Sequence, residues 1–318
     1  MAYERREYPD WSWSHSRQRT FQECRRRYYY QYYASHNGWE RNAPPLARLA
    51  YRLKNLTTMH MVFGDALHRV AAATLQQPAA AGNVPTSDHI RDQIRQILND
   101  AYADAKKNRA LWEAAPKRYV MLHEFYYNSG VPESVIAAIK QKLDICVPAL
   151  VNSRSFAEVF KSGTEVVSVD SLDFFYFADT KVYAVPDLLY KLPDGRWVIV
   201  DWKTGDEDEA YADQLYTYAL YVQNKHHIPA DKLLCRLEYL VKGTVEEYPV
   251  SRLDLQTTQA AIAESISIMQ SCLVDVNSNQ PQPLETFPMC SNIRRCPYCN
   301  FYELCRPAIE QQAAQAGA

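Results

Sequence analysis

The stretch "VIVDWKTGD", residues 198–206, decides the fold, because it has the pattern of a buried strand that ends in charged residues. Three branched apolar residues come first, and Asp201 and Lys203 follow at a spacing of two. Side chains alternate between the two faces of a strand, so this acid and this amine point to the same side. Because a buried charge is costly unless it is paired or binds a metal, the stretch predicts an ion pair or part of a metal site.

The turn just upstream decides what faces this strand. The segment "KLPDGRW", residues 191–197, joins two strands, and a three-residue loop with Gly195 left-handed would place Asp187 opposite Asp201. Facing like charges are destabilising unless a cation lies between them, and Mg²⁺ or Mn²⁺ favours such oxygen ligands. A two-residue loop would shift the register by one and separate the acids. The alternative is that Asp187 is an ordinary strand-edge residue and that Asp201 and Lys203 form a plain ion pair.

Hydrophobic periodicity divides the rest of the chain into helices and strands. Helical patterns cover residues 14–33, 46–56, 59–77, 88–107, 109–127, 132–151, 208–226 and 254–276. Strand patterns cover residues 165–177, 181–192 and 196–204, and a strand pair within 232–250 turns around Lys242 and Gly243. This order predicts a mixed α/β core in which a helical segment is inserted ahead of the sheet.

Composition and charge narrow the class of protein. The chain has 318 residues, of which 47% are hydrophobic and 23% charged, as in ordinary globular proteins. Since no apolar run is long enough to cross a membrane and the first residues lack the apolar segment of a signal peptide, we expect a cytoplasmic protein without a membrane partner. The first 60 residues are rich in Arg and Lys although the net charge is −2. They predict a phosphate-binding surface or a solvated basic face.

The eight cysteines fall into two groups. Three lie within apolar patterns and are predicted core residues: Cys146, Cys235 and Cys272. The stretch "CPYCNFYELC" spaces Cys296, Cys299 and Cys305 as C-x2-C-x5-C, a set that needs a fourth thiolate. Cys290 would complete a local structural zinc site, whereas Cys24 would join the two ends of the chain.

The stretch "RRRYYYQYY", residues 25–33, alternates basic and aromatic side chains. Such patterns bind single-stranded nucleic acid by charge and stacking. The alternative is a helix that packs its tyrosines beside the cysteines. We expect both, with some tyrosines packed inward and Arg25, Arg26 and Arg27 facing phosphate.

Two helical segments carry further polar pairs. "GDALH" separates Gly64 and His68 by one helical turn, and "QLYTY" places Gln214 and Tyr218 on one helix face. Each pair by itself is also typical of an ordinary amphipathic helix.

Taken in chain order, G-x3-H, P-D, D-x-K and Q-x3-Y resemble the RecB-like branch of the PD-(D/E)XK nucleases, with Asp201 in the (D/E) position. The resemblance covers roughly residues 59–250 and implies a restriction-endonuclease-like core, a mixed central sheet flanked by helices. It further implies metal ligands at His68, Asp187, Asp201 and the Trp202 carbonyl, a catalytic Lys203, and DNA-side residues Gln214 and Tyr218. The implied activity is that of a Mg²⁺- or Mn²⁺-dependent deoxyribonuclease, either an exonuclease or an endonuclease.

The cysteine pattern extends this resemblance. AddB-type RecB-like nucleases and CRISPR-adaptation nucleases carry one cysteine before the nuclease core and three after it, and these hold a 4Fe–4S cluster. The resemblance therefore implies cluster ligands at Cys24, Cys296, Cys299 and Cys305. Arg25 stands where the family commonly has proline, Cys290 is left over, and zinc remains the alternative metal.

The resemblance also implies an organisation and a set of partners. We expect a single nuclease domain over residues 1–318, with a basic-aromatic part at 1–58, a helical insertion at 85–160, the catalytic sheet and helix at 161–250 and the cysteine-rich segment at 285–306. The expected substrate is DNA with a free end or a single-stranded part. Expected settings are DNA repair or recombination, CRISPR adaptation and phage defence, with a helicase or defence proteins as partners. The alternatives are a DNA-binding or scaffold subunit with little cleavage, and a zinc-ribbon α/β protein with an unrelated pocket.

Overall fold

The computed structural model describes residues 5–76, 86–205 and 210–316, so small parts of the predicted helices 59–77 and 208–226, the start of the predicted insertion and Asp206 lie outside the described residues. The helices are α1 (His15–Glu23), α2 (Arg25–Tyr29), α3 (Pro45–Lys54), α4 (Met59–Gln76), α5 (Ser87–Lys107), α6 (Arg109–Ala114), α7 (His123–Tyr126), α8 (Glu133–Val151), α9 (Arg154–Val159), α10 (Ala210–His226), α11 (Arg252–Gln270) and α12 (Tyr302–Ala316). The strands are β1 (Leu56–Thr57), β2 (Met121–Leu122), β3 (Glu165–Val169), β4 (Asp173–Phe177), β5 (Thr180–Ala184), β6 (Leu188–Lys191), β7 (Trp197–Lys203), β8 (Leu233–Tyr239), β9 (Thr244–Pro249), β10 (Leu273–Asp275) and β11 (Gln280–Pro281).

The chain divides into two compact units. The first unit comprises Met1–Thr58, Ala101–Gly130 and Ser265–Ala318, and the second comprises Met59–Asp100 and Val131–Glu264. The second unit contains the five-stranded sheet, and the first contains the cysteine-rich segment. Among the helices of the described ranges, none is both long enough and apolar enough to span a membrane.

The sheet of the second unit has the order β3-β6-β7-β8-β9. β7 and β8 run parallel, and the other neighbours are antiparallel. β7 is the middle strand, and its residues from Val198 to Trp202 are all buried. A strand covered on both faces is hydrophobic without alternation, which explains the apolar start of the opening stretch. This mixed sheet with flanking helices confirms the predicted α/β fold class.

The turn between β6 and β7 has the predicted length. Leu192 donates its backbone N–H to the Arg196 carbonyl at 2.8 Å, and Gly195 has a φ of +85°. The ladder pairs Leu188 with Val200, so the same register continues outward to Asp187 opposite Asp201. The predicted register is confirmed.

Two of the predicted strands are wrong in extent, because each is broken into two. Residues 165–177 form β3 and β4, and residues 181–192 form most of β5 and all of β6. Asp170 has a φ of +42°, which ends β3, and β4 and β5 form a separate two-stranded ribbon. The ribbon turns through Ala178 and Asp179, both at positive φ, as in the tightest hairpins. The strand pair around Gly243 is confirmed as β8 and β9.

The predicted helix 14–33 is also wrong, because Cys24 interrupts it. Ser14 caps α1 by accepting a hydrogen bond from the Arg17 N–H at 3.1 Å. Cys24 is extended, at φ −163° and ψ 109°, and its sulfur accepts from the Arg27 N–H at 3.4 Å. The sulfur therefore caps α2 and favours a break over a continuous helix. A π-helix over Tyr30–Ala34 follows α2.

Two more helical predictions are too long. The segment 109–127 contains α6, then β2, then α7, because Pro116 follows α6 and cannot donate to a helix ladder. The segment 254–276 ends its helix at Gln270 and continues into β10.

A buried polar network supports the back of the two central strands. Arg236 is 0% exposed, and its Nη1 lies 2.9 Å from Oε2 of Glu158 in α9. The Tyr190 hydroxyl donates to the same Glu158 oxygen at 2.6 Å. Beside it, the Trp202 indole donates to Glu238 at 2.7 Å. All these strand residues share one face, so the odd-numbered residues of β7 lie on the other face.

Candidate active site

Two carboxylates meet on the face of the sheet that carries the odd-numbered residues of β7. Asp187 is 7% exposed and Asp201 is 3% exposed. Oδ2 of Asp187 accepts a hydrogen bond from the Trp202 backbone N–H at 2.7 Å. Oδ1 of Asp187 lies 2.9 Å from Nδ1 of His68, which α4 places over this end of the sheet. The first acid is thus held between a helix and the neighbouring strand.

The charge of His68 depends on these acids. Burial alone would lower the pKa of His68, but the negative charge and the hydrogen bond of Asp187, together with the charge of Asp201, raise it to about 9. His68 is therefore a cation in the metal-free site, paired with Asp187. As a metal ligand it would have to be neutral.

The second acid is paired with the lysine of its own strand. Oδ2 of Asp201 lies 2.5 Å from Nζ of Lys203, an ion pair on one strand face. Within the described ranges this buried oxygen accepts no hydrogen bond of acceptable geometry. Burial, followed by the nearby charge of Asp187, raises the pKa of Asp201. The environment thus disfavours the ionised carboxylate until more positive charge is supplied.

Helix α10 holds the lysine from the other side. Lys203 donates to Oε1 of Gln214 at 3.0 Å, and Gln214 in turn donates to the Tyr218 hydroxyl at 2.5 Å. The Lys203 ammonium also lies 4.2 Å from the centre of the Tyr211 ring. Burial, with the charges of both acids, raises the pKa of Tyr218 well above its ordinary value, so this phenol stays neutral. Sequence reasoning missed Tyr211, although it stands three residues before Gln214 on the same helix face.

Trp202 contributes to the site through its backbone only. Its indole ring is buried on the opposite face and bonded to Glu238. Its N–H is used by Asp187. The part of Trp202 that was predicted to bind a metal is its carbonyl, and that role stays a prediction.

All five remaining cysteines line one cavity of about 240 Å³ in the first unit. They are Cys24, Cys290, Cys296, Cys299 and Cys305. Sγ of Cys290 lies 3.9 Å from Sγ of Cys296. Burial and the neighbouring thiols raise the pKa of Cys296 and of Cys305 to about 12. The three cysteines predicted to be core residues are buried elsewhere, which confirms that prediction.

The basic-aromatic stretch lies beside this cavity. Arg26 donates through Nε to the Phe287 carbonyl at 2.6 Å, and Arg27 pairs with Glu23 at 3.1 Å. Arg25 is exposed. Several tyrosines of the stretch pack inward, as expected: Tyr28, Tyr30 and Tyr33. Phosphate contacts by the three arginines stay a prediction.

The comparisons with known proteins identify the family. The family model described as the PD-(D/E)XK nuclease superfamily matches residues 12–306. The chain belongs to this superfamily. A comparison with curated proteins finds no match. Among solved structures, the one described as the crystal structure of SSO0001 aligns at 14% identity with a TM-score of 0.28, over 77% of this chain and 96% of that one. With so low a TM-score, this alignment supports no conclusion about the fold or the function of the chain.

The D-x-K spacing of Asp201 and Lys203 lies at the end of β7. This position agrees with the predicted core, since the mixed sheet carries Asp187, Asp201 and Lys203 on one face. The structure also brings His68, Gln214 and Tyr218 to these residues. The six predicted side chains form two contact sets within the second unit, His68 with Asp187 and Asp201 with Lys203, Gln214 and Tyr218, and the bond from the Trp202 N–H to Asp187 brings the two sets side by side.

Sequence reasoning missed two further polar groups of this PD-(D/E)XK site. Lys142, from α8, donates to the Thr204 carbonyl at 2.7 Å, just after β7. Asp170 donates its backbone N–H to the Asp187 carbonyl at 3.0 Å, and its pKa is raised by burial and by the charge of Asp187. Asp170 was missed because residues 165–177 were predicted to form one strand, whereas β3 ends just before Asp170.

The donor set of the PD-(D/E)XK site fits a small divalent cation. Mg²⁺ is commonly bound through one or two carboxylates and keeps several waters. Asp187 and Asp201 supply two such groups on one face of the sheet. Over the described parts of the chain, no cluster of three or more His, Cys, Asp or Glu side chains is arranged to hold a metal. The fit therefore rests on the two carboxylates.

Proposed function

We propose that the protein is a Mg²⁺- or Mn²⁺-dependent deoxyribonuclease of the RecB-like branch. One observation carries this proposal: two buried carboxylates, Asp187 and Asp201, share one face of the sheet, and Oδ2 of Asp201 has the Lys203 ammonium 2.5 Å away. Two buried acids of like charge on one face cost free energy, and a divalent cation bound between them offsets that cost. A structure that keeps such an arrangement at a strand end is suited to binding a metal and a phosphate.

The chain's residues have separate roles in this proposal. Asp187 and Asp201 hold the cation, with His68 and the Trp202 carbonyl as further ligands. When bound, the cation polarises the scissile phosphate and lowers the pKa of a coordinated water. Asp187 is oriented for this by the Trp202 N–H, which occupies one side of its carboxylate.

Lys203 then acts on the phosphate. Its ammonium is held by Gln214 and by the Tyr211 ring, so it needs little reorganisation to stabilise negative charge that develops on the phosphate. Tyr218 keeps Gln214 in place through their 2.5 Å hydrogen bond and remains neutral. Gln214 and Tyr218 together form the wall on the DNA side of the site.

The test is cleavage of end-labelled single- and double-stranded DNA by anaerobically purified protein, with Mg²⁺, with Mn²⁺ and with chelator. We expect metal-dependent cleavage that Lys203→Ala reduces by about 100-fold or more, the usual effect of removing one electrostatic stabiliser. Lys140→Ala is the control, because Lys140 is exposed on α8 away from these contacts. Equal cleavage by both variants would show that Lys203 is not catalytic. The label separates stepwise shortening by an exonuclease from internal cuts by an endonuclease.

A DNA-binding or scaffold subunit is the second candidate. The observation in its favour is the 2.5 Å ion pair between Asp201 and Lys203, which already compensates the buried charge in part. A wild-type protein that binds the labelled DNA but leaves it uncut with either metal would support this candidate.

We also propose a 4Fe–4S cluster held by Cys24, Cys296, Cys299 and Cys305. The support is that these thiols, from both ends of the chain, line the same 240 Å³ cavity. Cysteine thiolates suit iron–sulfur clusters and zinc alike. Cys290 lies against Cys296, so zinc bound by Cys290 and the C-terminal trio is the alternative.

Metal analysis and visible absorbance of anaerobic protein separate these two metals. Iron that is lost in Cys24→Ser and kept in Cys290→Ser would support the cluster. Zinc that is kept in Cys24→Ser and lost in Cys290→Ser would establish the local zinc site instead.

The proposed substrate is DNA with a free end or a single-stranded part, which Arg25, Arg26 and Arg27 would contact. A role in repair or recombination, CRISPR adaptation or phage defence, with a helicase or defence proteins as partners, completes the proposal. The basis for these settings is the motif resemblance, together with the membership of the nuclease superfamily.

A further inference from the structure

We propose that a cavity of the first unit, here called the Trp39 pocket, binds a phosphate and a base within a single DNA strand. The cavity measures about 550 Å³, within the range of roughly 300–1,000 Å³ typical of small-ligand sites. It is lined by the turn before α3, by α3 itself and by the segment after α6. Its lining includes one tryptophan and five cationic side chains: Trp39, Arg41, Arg48, Arg52, Lys117 and Arg118. The identity of the strand as DNA rests on the proposed function.

One wall of the Trp39 pocket depends on a close backbone approach. A Cβ on Gly38 would lie 2.1 Å from the Ala47 carbonyl oxygen and 2.5 Å from Cβ of Tyr51. Only glycine permits the turn to pack this closely on α3. The neighbouring Trp39 is 46% exposed, and its ring meets the Tyr51 ring edge-on at 5.6 Å. The pocket thus presents a large aromatic side chain at its edge, supported from behind.

Two arginines are positioned by neutral groups. Arg48 donates through Nη2 to the Arg41 carbonyl at 2.9 Å and to the Ala43 carbonyl at 3.3 Å. Arg52 donates through Nε to the Glu113 carbonyl at 2.7 Å. Because backbone carbonyls carry no net charge, these bonds orient the guanidinium groups without neutralising them.

The two acids of the lining are compensated by arginines outside it. Glu40 lies 3.2 Å from Arg5, and Glu113 lies 3.1 Å from Arg109. In the portion of the chain that is described, three lining cations have no side-chain hydrogen bond or ion pair: Arg41, Lys117 and Arg118. The pocket therefore has an excess of positive charge beside an exposed aromatic ring.

This combination matches one ligand chemistry. Proteins bind single strands by placing cations along the backbone phosphates and aromatic rings against the bases. A positive pocket large enough for a nucleotide, with a tryptophan at its edge, offers both contacts at once. The competing interpretation is a solvated basic rim that binds nothing.

The test is equilibrium binding of a fluorescein-labelled oligothymidine to the full-length, anaerobically purified protein. Chelator is present, so that cleavage cannot remove the probe, and the affinity is measured at several salt concentrations. The pocket variants are Trp39→Ala and the double variant Arg41→Ala with Lys117→Ala. The control is Lys140→Ala with Lys161→Ala, which removes the same charge from exposed positions in the second unit.

The expected results differ among the variants. The double pocket variant should bind more weakly than the control, with a log–log salt slope that is smaller by about 1.4, since each lost phosphate contact on a single strand is worth about 0.7. Trp39→Ala should lose at least about fivefold in affinity at an unchanged slope, as for one weakly stacked base. Binding by both pocket variants that equals the control would overturn the inference and leave a solvated rim.

Two further measurements complete the test. One distinguishes a free nucleotide from a DNA strand as the ligand, and the other distinguishes failure of the pocket proposal from failure of the nuclease proposal. If thymidine monophosphate binds through the pocket residues while the oligothymidine does not, the ligand is a free nucleotide and the strand assignment is wrong. Cleavage by the wild type with normal binding by the pocket variants would reject the pocket and keep the nuclease. Weaker binding by the pocket variants, without any cleavage by the wild type, would keep the pocket and reject the nuclease.

Discussion

Oδ2 of Asp187 accepts a hydrogen bond of 2.7 Å from the backbone N–H of Trp202, so one acid of the site is fastened to the strand that carries the other. The bond joins the residue just before β6 to the end of β7. Asp187 and Asp201 therefore keep their spacing without relying on a bound cation. Such preorganisation lowers the cost of assembling a metal site.

Replacing Asp201 should separate activity from stability. Burial and the charge of Asp187 raise the pKa of Asp201, and an acid whose folded pKa is raised costs stability at every pH above that value. Asp201→Asn removes this cost, so in chelator near neutral pH the variant should unfold at the same temperature as the wild type or higher. Its metal-dependent cleavage should fall by about 100-fold or more.

The control for that experiment is Asp231→Asn, because Asp231 is exposed in the 3-10 turn just before β8. It should change neither property. An Asp201→Asn variant that cuts normally but melts early would contradict the assignment of Asp201 to the site.

Glu158→Ala should destabilise the second unit strongly. It removes one of the two acids that pair with the fully buried Arg236 and leaves Glu247, 2.8 Å from Nη2. Removing one partner of a buried ion pair costs about 3–5 kcal/mol, and the remaining Glu247 should hold the loss toward the lower end of that range. Chemical denaturation, followed by circular dichroism, would measure the loss. Exposed Glu264, as Glu264→Ala, is the matched control, and equal stability of the two variants would contradict the role given to the network.

The same acid predicts a pH dependence. Burial would raise the pKa of Glu158, but hydrogen bonds from Tyr190, Arg236 and Arg154 outweigh it and lower the pKa to about 2. Because the folded value lies below the ordinary one, the contribution of Glu158 is full above about pH 4.5 and is lost as the pH falls toward 2. The stability difference between the wild type and Glu158→Gln should shrink over that window. A difference that is constant from pH 6 to pH 2 would contradict this.

Two glycines should respond to alanine in opposite directions. Gly64 lies inside α4, and a Cβ there would meet only Oγ1 of Thr204, at 3.6 Å. Since glycine within a helix costs about 0.5–1 kcal/mol relative to alanine, Gly64→Ala should stabilise the protein by that amount. Gly38→Ala should destabilise it, because its Cβ would lie 2.1 Å from a carbonyl oxygen. Thermal unfolding of both variants checks this, and a loss of stability in Gly64→Ala would contradict it.

Loss of the proposed cluster should loosen the first unit before the second. In Cys24→Ser, hydrogen exchange should become faster in α1, α2 and α12, while the amides of β7 stay protected. The reason is that joining distant points of a chain removes freedom from the unfolded state, and releasing them restores it. Cys290→Ser is the control and should leave exchange unchanged. Faster exchange in β7 as well would show that the thiols support the whole chain.

The sequence allowed the catalytic register to be predicted because a turn is decided by its own residues. A three-residue loop with Gly195 at positive φ fixes which residues of β6 and β7 pair with each other. That register places Asp187 opposite Asp201. The helix face with Gln214 and Tyr218 followed from periodicity in the same way. Neither inference needed knowledge of distant contacts.

The wrong predictions of strand and helix length also have a local cause. A hydrophobic pattern can continue across a residue at which the backbone leaves the strand or helix. The aromatic run after β3 has the composition of a strand, so the positive φ of Asp170 was not foreseen, and neither was its place beside Asp187. Cys24 has a helical pattern on both sides, but its sulfur caps α2 and ends α1. In each case a backbone conformation at one residue overrode the periodicity of its neighbours.

The sequence by itself therefore determined the strand that carries Asp201 and Lys203, its facing acid, and the helix that follows. Only the tertiary structure decided which distant groups join them, His68 from α4 and Lys142 from α8. In the same way, it alone decided that five cysteines line one separate cavity of the first unit. The physical reason is range. Turn chemistry and periodicity act over a few residues, whereas long-range neighbours depend on how buried surfaces pack, and many sequences of helices and strands could pack in more than one way.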